Sequence, residues 1–388
     1  MLVATSVATD TRVLREATTL AAAGHDVHVI GKDVPAGYVP PAPVTVSSVG
    51  AGSGLRAEGS SSLGGRRLGV PVRTARWLLL PQHRNRVFRR WAAGAVADGR
   101  ERQFDVVHAH DYTALLPGAR LAGERGVPLV YDTHELWCGR PRVGRPTPVQ
   151  TWWEKRQEAR LGAEAVAVIT VGDGVADSLR RRFGWQHVTV VRNTFPLAGG
   201  SASPDSSAGP ARRHRPTALV YAGRLAPFRE LETVAAASSR LPLPVTLVGP
   251  ADETWLGGFD PGTATVRAPV PVEEVTALLA EAGLGLVTHS DRWENHRLAM
   301  PNKLFHAVRA GVPGVATDVG ELAAVVREHG LGTLYTPGDA DALVRAVEEA
   351  CRCYPELVAA TLAAAKALSW EHDAEALIGV YARLRGDP

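Results

Sequence analysis

The chain has little of what stabilises a small secreted domain or anchors a protein in a bilayer. Its 388 residues include three cysteines, Cys138, Cys351 and Cys353, which are too few for a disulfide framework. The pair Cys351-x-Cys353 falls in a helical pattern without a second pair of ligands, which argues against zinc. No apolar run reaches the ~18 residues that cross a membrane, and the N-terminus has no signal-peptide pattern. These absences predict a soluble, cytoplasmic protein.

Lysine is also scarce. Lys32, Lys155, Lys303 and Lys366 are the only lysines, and the rest of the 43 basic residues are arginines. Together with much Ala, Gly, Val and Pro, this indicates a coding bias toward GC-rich codons, so an arginine in place of a lysine carries little information. A retained lysine such as Lys303 carries more. The net charge of +3 is small for this length and does not favour nucleic acid as a partner.

Two nucleotide-binding motifs are absent as well. Neither half of the chain has Gly-x-Gly-x-x-Gly after its first predicted strand, and Gly-x-x-x-x-Gly-Lys-Ser/Thr does not occur. These motifs hold the pyrophosphate of a dinucleotide and the phosphates of a nucleoside triphosphate. Their absence disfavours dehydrogenases and P-loop enzymes.

The chain does contain two runs of alternating strands and helices, and its length suggests two domains. The first run opens with a strand at Met1–Thr5, an N-cap at Thr9 or Asp10, and a helix whose apolar residues repeat at helical spacing. Further strands are predicted at Val27–Ile30, Val44–Val49, Phe104–His108, Val127–Tyr131, Val166–Val171 and Val188–Val191, and helices at Tyr112–Arg125, Trp152–Leu161 and Gly174–Phe183.

Residues 196–216 are rich in Pro, Gly and Ser and predict a linker. The tail Ala340–Arg385 is helical, with breaks near Pro355 and at Ser369-Trp370. Between them, strands are predicted at Ala218–Ala222, Val245–Val248, Thr265–Arg267, Gly283–Val287, Val312–Ala316 and Gly332–Tyr335. Two such runs predict an α/β protein with two doubly wound domains facing a cleft.

The segment between the third and fourth predicted strands has an unusual composition. Gly50–Gly69 is rich in Gly and Ser and predicts a mobile loop. From Val70 to Arg102, arginines alternate with apolar residues. The favoured interpretation is a core helix with a solvated arginine face. The other is peripheral contact with an anionic membrane at its inner face.

Polar residues follow two predicted strands of the first half. These are His108-Ala109-His110-Asp111 and Asp132-Thr133-His134-Glu135. In an open parallel sheet, ligands bind at the carboxyl ends of the strands. His134 stands at such an end, after an Asp132 that we expect to be buried, and is the best catalytic candidate.

The second half contains the strongest candidate for a phosphate site. A helix is predicted from Asn302 to Ala310, with Lys303 in its first turn, where free N–H groups and the helix dipole favour an anion. Gly223 follows the first strand of this half and lets backbone approach a ligand closely. Arg224 and Arg229 come next in the chain. The combined cations predict a site for the diphosphate of a nucleotide sugar.

A series of segments, in this order along nearly the whole chain, resembles glycosyltransferase family 4. The segments are ATDTRVLREATTLAAAGHDVHVI, FDVVHAHD, YDTHEL, YAGRL, PNKLF and AGVPGVATDVGEL. LSWEHDAEALIGVYARL is similar to the last helix of that family. Each segment is modest by itself, and their order makes the resemblance specific.

The resemblance implies a retaining glycosyltransferase with the GT-B fold, in which two Rossmann-like domains face a central cleft. It implies an acceptor-binding domain over residues 1–195, a linker over 196–216, a donor-binding domain over 217–369, and a helix over 370–388 that crosses back to the first domain. The reaction is expected to move a hexose-type sugar from a nucleoside-diphosphate sugar to a hydroxyl acceptor on a glycan, a lipid-linked molecule or a natural product. No cofactor beyond this co-substrate, and no metal, is expected.

The resemblance also implies roles for individual residues. Arg224 and Lys303 bind the donor diphosphate, and Arg229 stands where the family usually has a lysine. His134 lies beside the donor sugar and stabilises charge that builds during transfer. The other donor-binding residues are Gly223, Asn302, Leu304 and His306, and the acceptor-side residues are Asp10, Arg12, His110, Asp111 and Glu135. Asp10 and Arg12 are expected on the first loop, where the alternative is a helix cap with a surface arginine.

The chain departs from the family pattern in the helix around Lys303. Where the family usually has two glutamates, eight residues apart, this chain has Leu298 and His306. The second glutamate normally grips the ribose hydroxyls, and a neutral imidazole accepts only one such bond. The neighbouring residues that could compensate by contacting the sugar are Glu294, Asn295 and His296.

Three interpretations therefore stay open. The leading one is the retaining transferase. The second is a non-catalytic nucleotide-sugar-binding or partner protein of the same fold, which stays open because His306 stands where the family has a glutamate. The third is another enzyme on this scaffold, such as an epimerase or a phosphorylase, and the short chain disfavours the phosphorylase. The sequence leaves the donor, the acceptor and the oligomeric state open.

Overall fold

The computed structural model describes residues 1–50, 88–139, 148–197 and 215–386. These residues divide into two compact units. The first unit draws on Met1–Thr170, Ala176–Thr189 and Ala376–Pro388, and the second on Val171–Val175 and Val190–Glu375. The end of the chain thus groups with the first unit.

The first unit is built on a parallel sheet of seven strands in the order β3-β2-β1-β4-β5-β6-β7. The chain winds away from β1 in both directions, so a topological switch point lies between β1 and β4. The strands are β1 (Leu2–Val3), β2 (His28–Gly31), β3 (Thr45–Ser48), β4 (Val107–His110), β5 (Leu129–Thr133), β6 (Ala167–Thr170) and β7 (Val188–Val190).

The first helix shows why these residues fold as they do. Asp10 caps it by accepting a hydrogen bond from the backbone N–H of Val13 at 3.2 Å, which confirms the predicted cap. Val13, Ala17 and Leu20 are buried and lie three or four residues apart, so one face packs on the sheet. The helices up to the linker are α1 (Thr11–Ala22), α2 (88–100), α3 (Asp111–Arg125), α4 (Pro148–Ala163) and α5 (Asp173–Phe183).

Strands β4 and β5 each end two residues later than predicted, at His110 and Thr133. The prediction followed the apolar residues, but the ladder continues into the polar ones, where His110 stands opposite Asp132. Both of these side chains are fully buried. They extend the strands because their polar atoms bond one another instead of water.

The second unit repeats the plan with a parallel sheet of six strands, in the order β10-β9-β8-β11-β12-β13, and its switch point lies between β8 and β11. The strands are β8 (Ala218–Ala222), β9 (Val245–Val248), β10 (Thr265–Arg267), β11 (Gly283–Val287), β12 (Gly314–Thr317) and β13 (Gly332–Tyr335). All but β12 confirm the predicted bounds. Strand β12 begins after Pro313 instead of before it, because proline has no N–H to donate to a ladder.

Helices cover this second sheet on both faces. Leu219 and Tyr221 point into one buried cluster, and Val220 between them points into another. A sheet with two buried faces is the expected product of strands joined by crossover helices. The helices are α6 (Leu231–Ala237), α7 (Glu253–Leu256), α8 (Val272–Ala282), α9 (Glu294–Leu298), α10 (Asn302–Arg309), α11 (Gly320–His329), α12 (Ala340–Arg352), α13 (Tyr354–Ala364) and α14 (Trp370–Arg385).

Several predicted features lie outside the described residues. They are the loop Gly50–Gly69 beyond its first residue, the arginine-rich segment up to residue 87, and most of the linker 196–216. Among the helices in the described parts of the chain, none is long and apolar enough to cross a membrane. The three cysteines are described and free of disulfides.

Gly332 offers a test of how tightly β12 and β13 pack. It has φ +152°, and a Cβ there would lie 1.7 Å from the carbonyl oxygen of Gly314. We expect Gly332→Ala to lower the free energy of unfolding by more than about 3 kcal/mol, because the clash is with backbone that cannot move aside. Urea denaturation followed by tryptophan fluorescence measures this loss.

The matched control is Gly338→Ala. Gly338 also has a positive φ, +79°, but a Cβ there meets nothing within 4 Å. It should therefore lose only the backbone term of about 1–2 kcal/mol. Equal losses in the two variants would contradict the packing argument.

Candidate functional site

The first unit gathers seven polar side chains around the carboxyl ends of β4 and β5. The members of this first-unit cluster are Arg12, Glu16, His108, His110, Asp111, Asp132 and His134. Three of them lie on β4 and β5, which are hydrogen-bonded neighbours in one parallel sheet, Asp111 and His134 directly follow these strands, and helix α1 supplies Arg12 and Glu16. The cluster adjoins the switch point, where ligands bind in folds of this kind.

Arg12 is the buried cation of this cluster. It lies in the first turn of α1 rather than on the preceding loop, and its side chain is only 4% exposed. Its guanidinium donates to Asp132 at 3.0 Å and lies 2.9 Å from the Glu16 carboxylate. The alternative of a surface arginine, considered from the sequence, is therefore wrong, because the buried side chains of Asp132 and Glu16 hold Arg12 inside.

The two carboxylates differ in protonation. Burial opposes the charge of Asp132, but Arg12 and His134 outweigh it and hold the pKa of Asp132 well below its ordinary value. Burial dominates at Glu16 and raises its pKa to about 8. Asp132 is therefore the charged member of the pair at neutral pH, and Glu16 binds a proton.

His108 and His110 stack on one another, with ring centroids 4.3 Å apart. Nδ1 of His108 lies 2.8 Å from the hydroxyl of Tyr381 on α14. Burial lowers the pKa of both histidines, so both are neutral at pH 7. Nδ1 of His110 lies 3.2 Å from Asp132, which assigns the proton to that nitrogen.

His134 stands between two carboxylates. Its Nε2 lies 3.1 Å from Asp132 and its Nδ1 lies 3.4 Å from Asp111. Asp111, which adopts a positive φ of 61° at the start of α3, also accepts from the backbone N–H of His134 at 3.1 Å. Burial opposes protonation, but Asp111 and Asp132 outweigh it and raise the pKa of His134 to about 9. His134 is thus an imidazolium at neutral pH.

Four members of the cluster have the residue types of a metal site. Potential ligand atoms of Glu16, His108, His110 and Asp132 all lie within 4.8 Å of one another. The sequence did not predict this convergence. However, the guanidinium of Arg12 already supplies the positive charge there, and a divalent cation would have to displace it.

Two of the predicted acceptor-side residues lie beside the cluster. Asp10 caps α1 and accepts a hydrogen bond from the Thr5 hydroxyl at 2.9 Å. Glu135 follows His134 and is partly exposed, and its carbonyl oxygen accepts from the Thr133 hydroxyl at 2.7 Å. Asp10 therefore shapes the loop before α1, and Glu135 belongs to the turn after β5 that contains His134.

The second unit gathers basic side chains at its own switch point. Gly223 and Arg224 directly follow β8, and Lys303 projects from the first turn of α10. A Cβ on Gly223 would lie 3.4 Å from Cδ of Lys303, so the two chain segments touch. The ammonium of Lys303 lies 5.0 Å from the ring centroid of Tyr221. We call Arg224, Arg229 and Lys303 the second-unit cations.

The second-unit cations differ from Arg12 in their charge balance. Among the residues that the structure describes, none of the three has a carboxylate within ion-pair distance. Burial, and then Arg229, lower the pKa of Lys303 to about 7. The side chain of Pro301 provides no cap for α10, so the first-turn amides of this helix stay available to an anion.

The remaining predicted donor residues divide by environment. Asn302 is exposed, and its Oδ1 accepts from Asn193 at 3.1 Å. Leu304 is buried in the hydrophobic core. The ring of His306 packs on Phe195, with centroids 4.1 Å apart. The structure therefore places Arg229 near enough to Lys303 to lower its pKa and places Arg224 directly after β8, whereas Leu304 and the ring of His306 pack on apolar neighbours.

The sequence analysis missed His289. It follows β11, which is paired to β8, so it lies at the same switch point as Gly223. Its ring lies against that of His296, with centroids 4.6 Å apart and the ring planes tilted by 35°. The signal was present, because Thr288-His289-Ser290 is a polar run directly after a buried strand, as at the two strand ends in the first half.

The pKa of His134 can be tested with Asp111→Asn. Removing this carboxylate should lower the pKa of His134 from about 9 by at least about one unit, which corresponds to about 1.4 kcal/mol. In the wild type, the interaction stabilises the fold fully below pH ~6.5 and is lost as the pH rises through about 9, so this pH dependence should weaken in the variant. Histidine NMR titration and urea unfolding between these pH values measure both effects.

The control for this variant is Asp177→Asn on the exposed side of α5. It should leave the titration of His134 unchanged. An unaltered His134 titration in Asp111→Asn would show that this carboxylate does not hold the charge.

Two curated relatives are similar to much of the chain. The chain is 29% identical over 332 residues to a D-inositol 3-phosphate glycosyltransferase of Nocardioides sp., covering 73% of this chain and 68% of that protein. It is 28% identical over 258 residues to the glycogen synthase of Mycobacterium tuberculosis, covering 63% of this chain and 59% of that protein.

Solved structures share the fold over the full chain. A sucrose-phosphate synthase from Thermosynechococcus elongatus matches with a TM-score of 0.71 at 17% identity, covering 100% of this chain and 99% of that one. HepE from Anabaena, in complex with UDP and glucose, matches with a TM-score of 0.66 at 16% identity, covering 98% and 99%. At these identities the likeness concerns the fold.

Two family models divide the chain at the predicted linker. Glycosyltransferase Family 4 matches residues 9–198, and Glycosyl transferases group 1 matches residues 216–352. Together they span most of the chain, in the order in which its two sheets occur. With the two Rossmann-like sheets and the shared fold, these matches show that the chain belongs to the GT-B glycosyltransferases.

Proposed function

We propose that this protein is a retaining glycosyltransferase that moves a sugar from a nucleoside-diphosphate sugar to a hydroxyl acceptor. The observation that carries the proposal is the group of second-unit cations, which have no carboxylate partner among the described residues. Lys303 and Arg229 are partly buried and Arg224 is exposed, and partly buried cations without a counter-charge are unfavourable by themselves. They become favourable when an anion binds, and a diphosphate suits the fork of two arginines beside a lysine.

Two further observations support a nucleotide sugar as the anion. The site lies at a switch point, at the carboxyl end of β8 and beside the N-terminus of α10, where the helix dipole is positive. HepE from Anabaena, which shares the fold, is described in complex with UDP and with UDP-glucose. The donor base and sugar for this chain stay open.

The chemistry needs charge stabilisation more than a protein base. In transfer with retention, the acceptor oxygen bonds the anomeric carbon from the face that the diphosphate leaves, and its proton passes to the leaving phosphate oxygen. Negative charge builds on that phosphate as the bond breaks. The second-unit cations stabilise this charge without a metal in our proposal, because fixed positive groups need no reorganisation as the bond breaks.

The first unit supplies the acceptor side and His134. Two carboxylates hold the His134 ring in one orientation and keep it protonated. A fixed imidazolium can stabilise negative charge but cannot act as a base. We therefore assign His134 to charge stabilisation and sugar positioning, with Asp111 and Asp132 as the residues that position it.

A second candidate function is nucleotide-sugar binding without transfer. The observation that favours it is His306, which replaces the expected ribose-gripping glutamate and packs on Phe195. The family glutamate offers two acceptor oxygens to a ribose, and the imidazole offers one nitrogen at most. Turnover distinguishes the two functions.

The direct test is a screen of UDP, GDP, ADP, dTDP and CDP sugars by calorimetry and donor hydrolysis. We expect one group of donors to bind and to be turned over. Lys303→Ala and Arg224→Ala should each lower turnover by roughly 10²–10³, because each removes a cation from the leaving phosphate. The fold should persist in circular dichroism.

The matched control is Arg240→Ala in the same unit, an exposed arginine paired with Asp341. It should retain wild-type turnover. Retained turnover in both Lys303→Ala and Arg224→Ala would remove the donor-site assignment, and donor binding without turnover in the wild type would favour the second function.

The role of His134 is tested separately with His134→Gln, which keeps hydrogen-bonding capacity but has no charge. We expect kcat to fall by roughly 10² or more, with donor affinity changed less than about threefold, because the charge matters in the transition state. Steady-state kinetics and donor calorimetry measure the two quantities. If donor affinity falls as much as kcat, His134 contributes only to binding.

A further inference from the structure

His289 is a buried polar side chain without a hydrogen-bond partner. It is 5% exposed, and within the described residues neither ring nitrogen bonds another group. Its backbone N–H donates to the Thr317 hydroxyl at 2.9 Å, which fixes the residue at the end of β11. A buried polar atom left unpaired is unfavourable. In a binding region, such an unpaired side chain indicates that a bound ligand supplies the missing hydrogen-bond partner.

The groups whose charge acts on His289 come from three other elements, and all are basic. They are Lys303 on α10, Arg229 in the loop before α6, and His296 on α9. Nδ1 of His296 is held by the Ser290 hydroxyl at 2.6 Å. The Thr288 hydroxyl donates to the carbonyl oxygen of Arg229, which ties that loop to the end of β11. Within the described chain, no carboxylate contributes to the charge around His289.

These basic neighbours and burial disfavour protonation of His289, His296 and Lys303 in the free protein. Burial, then Lys303, His296 and Arg229, lower the pKa of His289 to about 2. Burial and Arg229 likewise lower the pKa of Lys303 to about 7. His296 is neutral as well, because burial and Arg229 lower its pKa to about 4. An anion placed among these groups would favour the charged form of each.

We propose that His289 is a further ligand of the donor diphosphate, and that the nucleotide sugar binds together with protons taken up by His289 and Lys303. This inference rests on the proposed function, since it takes the anion to be the diphosphate of a nucleotide sugar. His289 then donates a hydrogen bond to a phosphate oxygen, beside the Lys303 ammonium and the arginine guanidinium groups.

The two residues take up protons in different pH ranges. Lys303 is already charged below pH 7 in the free protein, so its uptake on binding occurs above about pH 7. In the free protein, His289 is neutral over this whole pH range. Because Lys303 is already charged near pH 6, proton uptake on binding at that pH is by a histidine. The diphosphate of a nucleotide sugar is a diester, unlike a terminal phosphate with its second pKa near 6, so its charge stays constant over this range.

The experiment is isothermal calorimetry of the nucleotide sugars of the donor screen in pairs of buffers with different ionisation enthalpies, at about pH 6 and about pH 8. We expect the wild type to take up between about 0.5 and 1 proton per bound donor at each pH. His289→Asn should abolish the uptake at the lower pH and weaken binding there about tenfold. Lys303→Arg, which keeps a permanent charge, should abolish the uptake at the higher pH only.

The matched control is His329→Asn at the end of α11, which should behave as the wild type. His289→Gln serves as a second variant if the first does not fold. Binding of no donor would remove the proposed function and this inference with it. Binding without proton uptake, or uptake near pH 6 that survives His289→Asn and disappears in His296→Asn, would overturn the inference and leave the proposed function standing.

Discussion

In a parallel sheet, every strand ends at the same edge, and this constraint organises both units of the protein. The strand order reverses next to β1 in one unit and next to β8 in the other. The loops that follow β1 and β4, and those that follow β8 and β11, therefore converge at a switch point. His110 and Arg12 both reach Asp132 in this way in the first unit, and Gly223 and His289 follow paired strands at one edge of the sheet in the second. No single segment of sequence carries either cluster.

The two clusters differ in whether the protein supplies carboxylate partners for their cations. In the first unit, each cation has a carboxylate: Asp132 holds Arg12, and both Asp132 and Asp111 hold His134. This pairing fixes the orientation and charge of His134 before any ligand arrives. Within the described second unit, Arg224, Arg229 and Lys303 have no carboxylate partner, so the protein does not balance their charge. We infer that the first unit fixes His134 without a ligand, whereas the second-unit cations gain a counter-charge when an anion binds.

Much of the fold followed from the sequence, since buried parallel strands are short apolar runs between helices. Five strands of the second sheet have the predicted bounds because apolar and polar residues change sharply at their ends. Strands β4 and β5 extend further than predicted because polar side chains that bond one another can continue a buried strand. Arg12 was placed on a loop for a similar reason, since its partner Asp132 lies 120 positions along the chain.

The sequence by itself determined the alternation of strands and helices, the division into two Rossmann-like sheets, and the positions of the residues that follow each strand. Local hydrophobic pattern and turn residues are sufficient for this, because they act over a few neighbouring residues. Only the tertiary structure decided which cations are neutralised and which are not. In the tertiary structure, Arg12 is buried, His134 is protonated and the ring of His306 packs on Phe195. The charge of Lys303 lowers the pKa of His289. The state of a charged group depends on burial and on partners distant in sequence, and no local pattern encodes them.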